Sequence, residues 1–238
     1  MPKFFVDPAA ICSDHISLDA ETLSHIRVLR LSPTETFTVC DGNGQDYQCT
    51  LDGDTAKIAS LSQNEAEPNT PCIVYLAYTR GERMDYAIQK SVELGASAIH
   101  LFPSERCVVK YDEKSRPKKA ARFEKIALEA AKQSGRGRIP AVTTHPDFKK
   151  AMQNAADADL SLFFYENEAT RTLRMALEAQ ANLTSISIII GPEGGFASGE
   201  VALATELKLL PVSLGKRILR AETAPVAALA GVMFYLGE

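Results

Sequence analysis

The sequence predicts an α/β fold, with a mainly parallel sheet carrying helices on both faces, preceded by a small β-rich unit. Three observations carry this. Strand-like and helix-like segments alternate from residue 71 onward, which is the pattern of repeated β–α–β units. The first 65 residues instead read as short strands joined by tight turns. Between them, residues 62–70 are polar, aperiodic and end near a proline, so they are expected to form a linker.

Taken in order, one short helix fits Asp19–Arg27, with Asp19 as its cap before Leu23 and Ile26. Strands are expected over Glu35–Cys40 and Gln45–Leu51, flanking Asp41-Gly42-Asn43-Gly44, whose residues tolerate positive φ. Asp52-Gly53-Asp54 turns the chain into a further strand, Thr55–Leu61. In the second part, Cys72–Tyr78 is a strand and Glu82–Leu94 a helix stopped by Gly95. Ala98–Phe102 is the next strand, followed by a basic helix over roughly 118–133 that Ser134-Gly135 ends. Strands near 140–144, 160–165, 186–190 and 209–214 alternate with helices near 147–155, 170–180 and 199–207. The last helix begins at Thr223, read as its N-cap, with Pro225 in the first turn.

Composition narrows the class. The chain has 238 residues, 45% apolar and 24% charged, which suits a folded protein. No segment approaches the ~20 apolar residues of a membrane span, and Asp7 interrupts the N-terminus before a leader's apolar core, so a cytoplasmic location is expected. The five cysteines lack C-x-x-C or metal spacing and read as reduced thiols, with no metal expected. Net charge is −4 but unevenly spread: residues 1–70 carry −7, residues 71–150 carry +7, and residues 151–238 carry −4. Eleven basic residues lie between Arg106 and Arg138, among them Lys110, Lys114, Arg116, Lys118, Lys119, Arg122, Lys125, Lys132 and Arg136. Such a stretch is either a face for a polyanion or the solvated side of a helix.

No P-loop, dinucleotide fingerprint or G-x-S-x-G occurs; Thr-Arg-Gly-Glu-Arg after the first parallel strand has one glycine where a dinucleotide loop wants three. The chemistry-bearing loops lie late. Ile188-Ile189-Ile190 runs into Gly191-Pro192-Glu193-Gly194-Gly195-Phe196, and a second apolar segment ends in Leu214-Gly215-Lys216-Arg217-Ile218-Leu219-Arg220-Ala221-Glu222-Thr223. Glycines there permit positive φ or close backbone approach. Leu214 and Leu219 are spaced to sandwich a flat base, and Lys216, Arg217 and Arg220 bring positive charge. Glu222 and Thr223 are placed to satisfy free N–H groups at a helix start.

With these segments, the chain resembles the bacterial RsmE family along nearly its whole length. The match includes Met1-Pro2-Lys3-Phe4-Phe5-Val6, His25-Ile26-Arg27-Val28-Leu29-Arg30-Leu31 and Gln89-Lys90-Ser91-Val92-Glu93-Leu94-Gly95. It continues through Ser104-Glu105-Arg106 and Glu129-Ala130-Ala131-Lys132-Gln133-Ser134-Gly135-Arg136. The resemblance implies S-adenosyl-L-methionine-dependent methylation of N3 of a uridine in small-subunit (16S) ribosomal RNA, in an assembled or partly assembled subunit. It also implies a PUA-like β-barrel over 1–68, a SPOUT-type domain over 71–238 with a trefoil knot at about 160–238, and a homodimer. Gly191, Glu193, Gly194, Leu214, Gly215, Ile218 and Leu219 would line the cofactor pocket. Arg220, Arg136 and Glu222 would serve catalysis, the arginines steadying charge on the base and Glu222, or Glu193, taking its proton. Lys3, Arg27, Arg30, Lys90, Arg106, Gln133 and Arg136 would meet RNA. Ala227, Ala228, Ala230 and Gly231 suit close packing in either a dimer interface or the helix's seat on the sheet. A non-catalytic RNA-binding assembly factor and a SPOUT-type enzyme acting on another RNA are the alternatives.

Overall fold

The computed structural model describes residues 1–109 and 116–238; Lys110, Lys114 and the Arg116 side chain, counted above in the basic stretch, lie outside what it describes. The chain divides into two compact units, residues 1–67 with 131–139, and residues 68–130 with 140–238.

The first unit holds five strands in the order β1-β3-β4-β5-β2: β1 (Lys3–Phe5), β2 (His15–Ser17), β3 (Thr36–Cys40), β4 (Gln45–Asp52) and β5 (Thr55–Gln63). β1 pairs with β3 in parallel and every other pair is antiparallel. The turn between β3 and β4 forms because the Asp41 carboxylate accepts from the Asn43 and Gln45 N–H groups at 2.8 and 3.0 Å, while Gly42 and Gly44 take φ of 74° and 99°. Helix α1 (Ala20–Val28) starts where the Asp19 side chain accepts from Thr22 N at 2.7 Å. Phe4, Ile16, Ile26, Phe37, Val39, Cys49 and Ala56 make the core.

The expected linker over 62–70 is corrected in its first part. β5 runs on to Gln63, paired with Gln45. Beyond it, Asn64 donates to Asp46 and to Gly135 O, and Glu67 accepts from Arg136, Gly137 and Arg138. These polar residues are held by partners 18 to 71 positions away, which local composition cannot reveal.

The second unit is a six-stranded parallel sheet in the order β11-β9-β10-β6-β7-β8. Its strands are β6 (Cys72–Ala77), β7 (Ala98–Phe102), β8 (Ala141–Thr144), β9 (Leu160–Phe164), β10 (Ile186–Ile190) and β11 (Leu210–Val212). The connecting helices are α2 (Glu82–Glu93), α3 (Arg116–Gln133), α4 (Phe148–Ala155), α5 (Leu173–Glu178), α6 (Ser198–Glu206) and α7 (Thr223–Leu236). β9 and β10 are buried at every position, as strands covered on both faces must be. α7 packs on α2, α5, β10 and β6, whereas α4 packs on α6, β7, β10 and β6. A side chain at Gly231 would meet Leu173 at 2.8 Å, and Ala228 is fully buried, so these small residues seat α7 within its own unit.

Thr223 is not the cap of α7. It is the first helical residue, Glu222 holds the N-cap position, and the Glu222 side chain makes no capping hydrogen bond. No helix among the described residues is long and apolar enough to cross a membrane.

Candidate active site

The sheet order reverses between β6 and β10. From β6 the chain builds outward through β7 and β8, then returns to place β9, β10 and β11 on the other side. Ligands of open α/β sheets bind outside the strand carboxyl ends at such a point. β6 and β10 end side by side, Leu76 opposite Ile190. The loops that meet there are therefore Thr79–Gly81 after β6 and Gly191–Ala197 after β10, and a narrow seam between them is lined by Thr79, Met84, Ile190, Gly191 and Ala221.

The glycines of the β10 loop serve two different purposes. A Cβ at Gly191 would press on the Phe196 ring at 3.0 Å, and one at Gly194 on Arg106 Cβ at 3.0 Å. Close approach, not positive φ, requires glycine at these two. Gly195 alone has φ of 66°, and the Glu166 carboxylate also fills the space its side chain would take. Phe196 turns inward and stacks on Phe163 at 4.2 Å, which anchors the loop to β9. Gly215, at φ of 105°, has no atom within 4 Å of where a Cβ would stand, so its backbone is open to a ligand.

Glu200 fixes the rim. Although buried, its carboxylate accepts from Ser104 Oγ at 3.0 Å, Glu105 N at 3.0 Å and Ala197 N at 2.9 Å. One side chain thus joins the start of α6 to the segment after β7. Arg106 adds a second tie, donating to Gly194 O at 3.2 Å. Burial pushes the Cys107 thiol up, so this cysteine stays protonated and is no nucleophile at neutral pH.

The charged centre is Arg83, in the first turn of α2. Its Nη1 donates to Glu193 Oε1 at 3.2 Å, and its Nε lies 3.8 Å from Glu222 Oε1. Glu193 Oε1 also accepts from Arg80 N at 3.3 Å. Arg80, Arg83, Val108 and Glu193 surround a recess of about 260 Å³. Two buried polar atoms beside these groups, Thr79 Oγ1 and Glu222 Oε2, make no hydrogen bond among the described residues. Buried polar groups are almost always satisfied, so these two fit donors or acceptors brought by a ligand.

Residues 66–233 match the family model described as RNA methyltransferase domain. The ribosomal RNA small subunit methyltransferase E of Bacillus subtilis is 33% identical over 92% of this chain and 89% of its own length. The chain belongs to this RNA methyltransferase family. Its relatives include ribosomal RNA small subunit methyltransferase E of Synechocystis, 32% identical over 97% of this chain and 76% of that protein. Among solved structures, ribosomal RNA small subunit methyltransferase E from Neisseria gonorrhoeae, bound to S-adenosyl methionine, superposes with a TM-score of 0.87. It is 31% identical, covering 99% of this chain and 98% of that one. A putative methyltransferase from Legionella pneumophila, in complex with the same cofactor, gives 0.86 at 28% identity, covering 98% and 97%.

The residues expected at the family's site divide by location. Gly191, Glu193, Gly194 and Glu222 stand at the β6–β10 end just described. Leu214 and Leu219 are half-buried, while Gly215, Arg220 and Ile218 (88% exposed) face solvent on the loop between β11 and α7. Arg106 reaches this rim, and Lys90 is paired with Glu93 at 2.7 Å on α2. Arg136 is different. It is buried in the first unit, where its Nε and Nη2 donate to Glu67 Oε1 and Oε2 at 3.2 and 2.6 Å. Lys3 is likewise enclosed, donating to Asp46 at 2.9 Å and Gly135 O at 3.0 Å. The other two cations of this unit expected to meet RNA are Arg27 and Arg30. Those two are exposed, Arg27 lying 3.8 Å from Asp54, and Gln133 is exposed as well.

Sequence reasoning passed over Thr79, Arg83 and Glu200. The segment Thr-Arg-Gly-Glu-Arg was read only for missing glycines; a strand end followed by a helix with arginine in its first turn was the available signal.

Proposed function

We propose that this protein methylates N3 of a uridine in small-subunit (16S) ribosomal RNA, using S-adenosyl-L-methionine. The reading includes a SPOUT-type domain over 71–238 with a trefoil knot at about 160–238, a PUA-like barrel over 1–68, a cytoplasmic location, and action as a homodimer on an assembled or partly assembled subunit. The observation that carries it is the family match over residues 66–233, with the glycine loop flanked by two buried atoms, Thr79 Oγ1 and Glu222 Oε2, that lack a hydrogen bond among the described residues. The exposed Phe234, Tyr235 and Met175 side chains, on α7 and α5, support pairing of two copies.

Gly191, Glu193, Gly194, Leu214, Gly215, Ile218 and Leu219 would hold the cofactor, with the open backbone at Gly215 suited to a flat base. Bound there, S-adenosylmethionine supplies an electrophilic methyl group on a sulfonium. The protein's part is to align the uracil with that methyl, because in-line transfer gains most from positioning. Arg220 is exposed on the same loop and would steady the negative charge that grows on the uracil carbonyls as N3 loses its proton. Arg136, which is paired with Glu67, would be the second cation for that role.

The test is methylation of small subunits that lack the mark, followed by mass spectrometry of the RNA, alongside calorimetry with S-adenosylhomocysteine. Wild type is expected to bind the product and to install one N3-methyluridine. Arg220→Ala should lose about 100-fold in kcat with product affinity nearly unchanged. A methyl group at another atom, or no binding by folded wild type, would overturn the reading.

A further inference from the structure

We infer that Arg83 is a positioning residue for this transfer: it ties the Glu193 loop to Glu222 and leaves the second Glu222 oxygen as acceptor of the uracil N3 proton. The inference rests on the proposed methyl transfer and names which of the two carboxylates, Glu222 or Glu193, takes the proton.

Arg83 stands where a cation is disfavoured. The first turn of a helix presents unpaired N–H groups and the positive end of the helix dipole. α2 begins at Gly81 with no side-chain cap, and its first-turn Asp85 is already paired with Arg122. What offsets the placement of Arg83 is the two carboxylates it touches, one from the loop after β10 and one at the N-cap of α7. Those loops are about thirty residues apart in sequence, and among the described residues Arg83 is the side chain that meets both carboxylates.

The two carboxylates are not equivalent. Glu193 Oε1 already accepts two hydrogen bonds, from Arg83 Nη1 and Arg80 N. Glu222 faces Arg83 through Oε1 only, and its Oε2 is buried without a hydrogen bond among the described residues. An acceptor oxygen with no competing donor, fixed in place through its twin, is what removal of a ring N–H proton requires. Glu193 is then the strut and Glu222 the base.

The step balances. The N3–H pair stays with nitrogen and forms the bond to the methyl carbon as the sulfur–methyl bond breaks and its pair returns to sulfur. The proton passes to Glu222 Oε2. Sulfonium and carboxylate become neutral thioether and neutral acid.

The test uses full-length protein, unmethylated small subunits and calorimetry with S-adenosylhomocysteine on Arg83→Met, Arg83→Lys, Glu222→Gln and the Arg83→Met/Glu222→Gln double variant. Arg83→Met should lower kcat about 10- to 100-fold while the product Kd moves less than about threefold. Arg83→Lys should recover part of that loss. The double variant should be no slower than Glu222→Gln alone, because residues acting as one unit are not additive. Multiplying losses in the double variant, or an Arg83→Met defect confined to product affinity, would overturn the inference. If Arg83→Met does not fold, Arg83→Lys decides: a kcat between wild type and Glu222→Gln at an unchanged thermal midpoint supports it, and a wild-type kcat refutes it. Failure of wild type itself to bind or methylate would instead sink the proposed function, so the two failures are distinct.

Discussion

In the first unit, Lys3, Asp46, Asn64, Glu67 and Arg136 form closed pairs in which side chains and backbone groups answer one another. In the second, Arg83 holds two carboxylates and one of them keeps a buried oxygen without a donor. Both regions pair an arginine with glutamate, but Arg136 is buried whereas Arg83 keeps 44% of its side chain exposed. Asp46 Oδ1 in the first unit also lacks a hydrogen bond among the described residues, but Lys3 Nζ stands 2.9 Å from it, whereas Arg83 reaches the Glu222 carboxylate only at 3.8 Å. Partners therefore say more than motifs: Arg136 meets Glu67 within the first unit, and Arg83 meets two carboxylates at the candidate site.

The largest effect that tests this contrast is at Glu67. Arg136 has only 3% of its side chain exposed, and Glu67→Ala removes a carboxylate that lies 2.6 Å from this buried charge. Glu67→Ala should cost about 3–5 kcal/mol in chemical denaturation, with the turnover of the remaining folded protein close to wild type. A cost under about 1 kcal/mol would place Arg136 among exposed surface pairs and break the comparison. The pair also has a pH signature. Burial pushes the Glu67 carboxyl up, but the Arg136 hydrogen bond and charge, with the Arg138 and Gly137 N–H groups, outweigh it and hold it below its ordinary value. A carboxyl held low contributes stability that is present above the unfolded value of about 4.3 and is lost as pH falls through the folded value.

The sequence made much of the second unit legible, because its signals are local. Gly95 after a helical stretch, the β-branched run 186–190 and the alternation from residue 72 each report on neighbours a few positions away. The late glycines were legible for the same reason, although two of them answer to crowding by Phe196 and Arg106 and only Gly195 to positive φ. What composition concealed depends on distant partners. Residues 64–67 looked like linker because the groups they bind are at 135–138. Lys3 looked free for RNA because its partner Asp46 is on another strand. Arg83 and Thr79 carried no motif, and Glu200 gave no sign that Ser104 and Glu105 would need its carboxylate.

A smaller effect sharpens the comparison on the exposed side. Lys118, Arg122 and Lys125 follow one another at helical spacing and are exposed on α3, and Arg122 is paired with Asp85. Lys118 and Lys125 are the cations to reverse. The Lys118→Glu/Lys125→Glu variant should bind small-subunit RNA about tenfold more weakly, with the slope of log affinity against log salt shallower by about 1–2. An unchanged slope would make this face solvated surface and return the RNA contacts to the Arg106 rim.

The smallest effect concerns a part-buried pair of histidines. His100 Nδ1 and His145 Nε2 lie 2.8 Å apart, with the Tyr75 ring 4.7 Å from that of His100. Burial pushes His100 down to about 4, the charge of His145 adding to it, and burial followed by the charge of Lys150 pushes His145 down as well. A histidine held below its unfolded value of about 6.5 takes up its proton first in the unfolded chain, so stability is full above that value and falls as pH drops toward 4. The thermal midpoint of wild type should therefore decline across this window, and His100→Gln should decline less. Glu67 acts lower, below about 4.3, so a Glu67→Gln profile should flatten only at the acid end. Two variants that flattened the same window would mean that one titration, and not two separate pairs, governs acid unfolding.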